Sequence, residues 1–164
     1  MLISGPRAAG WTGPLEAGLR EGLTGSSVTI AEVFSADTGL RQQLALVELA
    51  LQKHPKADYL IGSAPAVEAA IGLLAANKDQ HAPELLSTYI SHTILRSLMN
   101  GNVLGASFDD PTRQGILAIK QAVSASKPAS SFAVFGPEIT LLTKTSDRLQ
   151  RVSISPADYF PAID

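Results

Sequence analysis

Five short apolar runs, each ended by a polar or Gly/Pro loop and each followed by a segment of helical periodicity, constrain this chain more than any other feature. Met1-Leu-Ile-Ser4 stops at Gly5-Pro6, and Thr12-Gly-Pro14 opens a segment with Leu15, Leu19 and Leu23 at four-residue spacing. Residues 28–34 alternate as a second strand ending at Ser35-Ala-Asp37. Thr38 is then the expected N-cap of a long helix with Leu40, Leu44, Val47 and Leu51 on one face, stopping at His54-Pro55. Asp58-Tyr-Leu-Ile-Gly62 reads as a third strand, and Ser63-Ala-Pro65 begins an Ala-rich helix to about Asn77. Leu85-Leu-Ser-Thr88 makes a fourth strand ending at Tyr89, and residues 92–99 a short helix closed by Asn100-Gly101. Strands alternating with helices of this length imply parallel pairing with right-handed crossovers. The expected fold is α/β: a three-layer α/β/α sandwich around a mostly parallel, Rossmann- or flavodoxin-like sheet.

The fifth unit carries the turn in the chain's organisation. Val103, Leu104 and Ala106 follow Gly101 as a strand, and Asp110 stands directly before Pro111, which suits an N-cap and the first helical position. Open α/β sheets hold ligands in the crevice beyond the carboxyl ends of their strands. The candidates at those ends are Asp37, Ser63, Tyr89, Phe108 and Asp109, together with Trp11, the only tryptophan, in the first loop. Beyond them come a helix over 111–125 with Ile116, Ile119 and Val123 expected inside, a Ser/Lys/Pro linker over 124–131, a last strand over 138–143, and a Pro-containing tail over 151–164.

At 164 residues with 45% hydrophobic content the chain can bury one ordinary core. Thirteen basic residues against 15 acidic ones, with no basic block, give no reason to expect a nucleic-acid partner. The absence of cysteine excludes disulfides and thiolate-bound metal, and His54, His81 and His92 lack metal-site spacing, so no metal is expected. No window approaches the roughly 18 apolar residues of a membrane span, so no membrane insertion is expected. The N-terminus opens inside a strand with no signal peptide, as a piece of a longer chain would. Enzyme motifs fail one by one. Gly5 to Gly10 has phosphate-loop spacing, but Trp11-Thr12 stands where Lys-Ser/Thr is needed. Neither Gly-x-Gly-x-x-Gly nor Gly-x-Ser-x-Gly occurs, and Ser91, His92 and Asp109 make a poor triad because neighbours on a loop rarely point at each other. A non-enzymatic chain without a cofactor is expected.

The loops Gly5-Pro-Arg-Ala-Ala-Gly-Trp11, Asp58-Tyr-Leu-Ile-Gly-Ser63, Leu85-Leu-Ser-Thr-Tyr89, Phe108-Asp-Asp-Pro111 and Gly136-Pro-Glu-Ile139, in this order of units, carry a resemblance. From Ile3 to about Leu142 the chain resembles the second half of type I periplasmic binding proteins of the LacI and ribose-binding kind. Within them it is similar to the TorT family of periplasmic proteins that sense trimethylamine N-oxide (TMAO). The resemblance implies residues 1–108 as a C-terminal ligand-binding lobe and 109–150 as a crossing segment belonging to an absent N-terminal lobe, with 151–164 a tail. It also implies a periplasmic location, closure of two lobes on a small molecule, and a partner in the periplasmic domain of a sensor histidine kinase controlling TMAO respiration. Sugar-binding relatives place Asn-Asp after the third strand and Asp-Gly after the fourth, whereas this chain has Ala64-Pro65 and Tyr89-Ile90. The cleft has thereby lost polar groups and gained an aromatic face. Methyl groups of TMAO carry partial positive charge and can lie on such faces at roughly 0.5–2 kcal/mol per contact. Trp11, Tyr89 and Phe108 would form the wall, with Asp109, Ser63 and Asp37 as further contacts. The plain alternatives are packing for Trp11 and Phe108 and dipole capping for Asp109. A sugar-type solute-binding protein and the effector lobe of a LacI-type regulator are the competing functions. The 111–143 segment, deprived of its own lobe, is expected to pack on this lobe or to form a homodimer.

Overall fold

The computed structural model of the chain describes residues 1–77, 81–126, 135–152 and 154–155; most of the linker and most of the tail lie outside the described residues. Its elements run β1 (Leu2–Ser4), α1 (Thr12–Gly22), β2 (Val33–Ser35), α2 (Leu40–Lys53), β3 (Tyr59–Gly62), α3 (Ala64–Ala76), β4 (Glu84–Ser87), α4 (His92–Asn100), β5 (Gly105–Phe108), α5 (Pro111–Ala125) and β6 (Thr140–Leu142), then a 3-10 turn at Leu149–Arg151. The strands form one sheet in the order β2-β1-β3-β4-β5-β6, parallel except for β6, which runs antiparallel to β5. Because the chain steps from β1 to β2 on one side and resumes with β3 on the other, β1 marks a switch point. Right-handed crossovers then put α1 on one face and α2, α3 and α4 on the other.

Burial follows from that layout. Leu2 and Ile3 in the inner strand β1 are fully buried, as a strand covered on both faces requires. The main core forms where Val47 and Ala50 of α2, Ala66, Val67 and Ala70 of α3, and Ile94 and Leu98 of α4 meet Leu60, Leu85 and Ala106 of the sheet. The small residues of α3 let it lie close. A Cβ at Gly62 would stand 2.9 Å from the Cβ of Ala66 and 3.3 Å from that of Ile3, so glycine is what that approach permits. Gly101, at φ 82°, closes α4 in the left-handed conformation, as its position after Asn100 suggested.

Several expectations are corrected. Strand β2 is confined to Val33–Ser35 because β1 offers only three partners; the stretch from residue 28 adds one further bond, from Leu2 N–H to the Glu32 carbonyl. Gly39, not Thr38, is the N-cap of α2, and Thr38 N–H is held by Asp37 Oδ1 at 2.7 Å. On α2 the buried stripe is Gln43, Val47 and Ala50, leaving Leu40 60% and Leu44 37% exposed. Strand β4 ends at Ser87, so Tyr89 lies two residues past it. Ile116, Ile119 and Val123, expected inside, are all exposed, and no residue of α5 is buried. Of the two covers expected for the last strand, β6 takes this lobe: it pairs Ala106 with Leu142 and Phe108 with Thr140, burying Leu142 and closing an otherwise bare sheet edge.

Candidate functional site

The six sequence-predicted residues all lie at the carboxyl ends of the strands or just past them, along one edge of the sheet. What holds that edge is a residue that sequence reasoning missed. Gln43 is fully buried; its Nε2 donates to the Asp37 carbonyl at 2.9 Å and reaches the Ser4 carbonyl at 3.5 Å, while its Oε1 accepts from Ser63 Oγ at 3.4 Å. One amide thus ties together the ends of β1 and β3 and the loop after β2. A polar residue at a core-facing helix position, three before Leu46 and four before Val47, is a weak signal, and no local rule aims it at the strand ends. Ser63 is consequently buried and spends its hydroxyl on this brace. Asp37 likewise uses Oδ1 on Thr38 and its carbonyl on Gln43, with its side chain at the surface.

Trp11 precedes α1 as its N-cap residue, 44% exposed, and its indole covers Gly5 so closely that a Cβ there would collide with the ring. One side of the Trp11 ring packs on Gly5, as the packing alternative expects, and the rest is open to solvent. Tyr89 is 43% exposed. Its phenol pKa is raised, first by partial burial and then by the Glu68 carboxylate, with a backbone hydrogen bond from Ala64 at the start of α3 working the other way. Glu68 is fixed in turn by Ser91, whose Oγ donates to Glu68 Oε1 at 2.7 Å and accepts from Ile94 N–H at 3.1 Å as the cap of α4. Tyr89 is therefore a neutral hydroxyl on a braced loop, with an open ring.

The last two candidates sit at the crossing. Phe108 is half-buried against the edge of the core and lines a cavity of about 240 Å³ beside α5. Asp109 faces a separate groove of about 420 Å³ between α1 and the sheet, and its carboxylate holds Gln114 of α5. Asp110 caps α5 as expected, accepting from Arg113 N–H at 3.0 Å, and does so at φ 42°, a left-handed conformation rare outside glycine and asparagine-like residues. The structure brings Trp11, Tyr89 and Phe108 to one edge but not into contact: among the described residues the one ring pair is Phe34 in the middle of β2 with His54 at the end of α2, 6.0 Å apart. Nor do three His, Asp or Glu side chains gather into a metal-binding group among the described residues. No helix among them is long and apolar enough to cross a membrane.

A doubly wound sheet with an antiparallel edge strand, its loops gathered at the carboxyl ends of the strands, matches the fold of type I periplasmic-binding-protein lobes. No family model matches the chain. The chain is 34% identical over 164 residues to the periplasmic protein TorT of Escherichia coli K12, a match covering 98% of this chain and 47% of that protein. It therefore spans about half the length of the curated relatives it matches. Among solved structures it resembles the complex of the TorS sensor domain with TorT in the presence of TMAO, with a TM-score of 0.82 and 33% identity over 99% of this chain and 54% of the other. It equally resembles an ABC transporter solute-binding protein from Bradyrhizobium sp. BTAi1 with bound bis-tris, with a TM-score of 0.83 and 28% identity over 99% of this chain and 50% of the other. These relatives are binding and sensing proteins rather than enzymes, the class the missing motifs indicated. They lend no support to the expected homodimer.

Proposed function

We propose that this chain is the C-terminal lobe of a periplasmic solute-binding sensor that takes TMAO in a cleft between two lobes and presents the closed form to the periplasmic domain of a sensor histidine kinase. The observation that carries the reading is the match to TorT over 98% of the chain, together with the likeness to the TorS–TorT complex. The edge described above supports it. Tyr89 offers an aromatic face to the methyl groups, and its phenol, its pKa raised further by partial burial and by Glu68, can accept from Ala64 and still donate to the N-oxide oxygen. Trp11 supplies a second exposed face. Ser63 and Asp37 act mainly through the Gln43 brace, and Phe108 and Asp109 at the crossing between lobes.

Residues 1–108 form the lobe proper; within 109–150 helix α5 belongs to the crossing, while β6 returns to complete this sheet. Signalling works by differential affinity, because a ligand shifts an open–closed equilibrium only by how much better it binds one form. One lobe holds half of the contacts, so the isolated chain binds TMAO with less than about 4 kcal/mol, weaker than millimolar.

The test is a calorimetric titration of the two-lobe protein with TMAO, betaine and ribose, repeated with Tyr89→Ala. Heat with TMAO that the substitution lowers by about tenfold in affinity or more supports the aromatic site. Binding of ribose instead, or TMAO binding indifferent to Tyr89, overturns it.

A further inference from the structure

The chain leaves the sheet at Phe108 and returns at Thr140, its partner across the antiparallel pair, and the cavity of about 240 Å³ lies beside these two crossings. Arg113 from the first turn of α5 and Arg148 and Arg151 from the 3-10 turn line it, with Asp110, Glu138 and Thr140; Phe108, Leu142 and Val152 make its apolar wall. Among the described residues none of the three guanidiniums lies within ion-pair distance of a carboxylate. Asp110 already spends Oδ1 on the backbone N–H of Arg113. Three permanent cations against two acids leave the pocket net positive. Planar guanidinium forks match the geometry of a carboxylate, the Thr140 hydroxyl adds a donor, and the apolar wall favours an anion that carries a hydrocarbon part.

We propose that this pocket, which shares Phe108 with the crossing end of the candidate edge but is lined by neither Trp11 nor Tyr89, binds a small organic carboxylate. Bound there, the acid joins the first turn of α5 to the 3-10 turn, and so sets the angle at which α5 leaves the lobe. The proposal does not depend on the identity of the cleft ligand.

The experiment is calorimetry and thermal shift of the 164-residue chain with succinate, inorganic phosphate and sodium chloride at matched ionic strength. Succinate binds and raises the melting temperature, and phosphate and chloride do so much less. The double variant Arg148→Ala/Arg151→Ala loses about tenfold or more in succinate affinity, whereas Arg41→Ala, on exposed α2 away from the pocket, keeps it. Arg113→Lys, which keeps the charge but not the fork, weakens binding in a protein that needs no refolding of its surface. Equal responses to all three salts, a stronger response to phosphate than to succinate, or full binding in the double variant overturns the proposal.

Discussion

Gln43 shows how one side chain sets a site that it does not itself line. Replacing it with alanine leaves the Asp37 carbonyl and the Ser63 hydroxyl without their partner and opens a small cavity. The expected cost is about 2–4 kcal/mol in urea unfolding, against about 0.5 kcal/mol or less for the neighbouring exposed Gln42→Ala. A second residue-scale prediction concerns Glu32, whose carboxylate accepts from Lys53 Nζ at 2.7 Å and meets His54 Nε2 at 2.8 Å. The hydrogen bond from Lys53, then that from His54, lowers its pKa from the ordinary 4.5. A carboxyl with a depressed folded pKa stabilises the protein above its unfolded value and loses that contribution as pH falls through the folded one. Unfolding midpoints measured from about pH 6 down to about pH 3 therefore fall less steeply in Glu32→Gln than in the parent chain. Neither network was legible in the sequence: Gln43 and Ser63 are 20 positions apart, and Glu32 and His54 are 22, so no local rule pairs them.

At the scale of elements, the alternation of strands and helices was readable almost throughout, because periodicity, Pro and Gly act within a few residues of themselves. Strand length was not. The run from residue 28 is strand-like in composition, yet only the part opposite the three residues of β1 pairs, since a strand is as long as its partner allows. β6 makes the same point in the other direction. Its place as the antiparallel edge rests on a contact between Ala106 and Leu142 across 36 positions, with Leu142 1% exposed. Leu142→Ala is expected to cost about 2–4 kcal/mol, read as a lowered denaturation midpoint, and to promote aggregation through the freed edge of β5.

For the whole molecule the feature that matters is what stays uncovered. α5 presents Ile116, Ile119 and Val123 to solvent, with Ile119 68% exposed, while the sheet and α1 leave an open groove lined by Leu15, Leu19, Leu86 and Leu141. Surfaces of this kind are normally covered, and here the matched relatives are about twice as long as the chain. Ile119→Lys is accordingly expected to raise solubility and to lower binding of an apolar dye without shifting the unfolding midpoint by more than about 0.5 kcal/mol equivalent, which a dye titration beside a denaturation curve checks.

By itself the sequence determined the order of elements, the parallel sheet with its right-handed crossovers, the edge along which Trp11, Asp37, Ser63, Tyr89, Phe108 and Asp109 fall, and the cap at Asp110, since each depends on neighbours along the chain. Only the tertiary structure decided that Gln43 turns inward to brace that edge, that Phe108 and Asp109 face different cavities, that α5 stands bare, and that β6 closes the sheet. Those outcomes depend on which distant groups arrive opposite one another, and a buried amide, an unpaired edge or an exposed helix face acquires its energy from that arrival rather than from the residue's own surroundings in sequence.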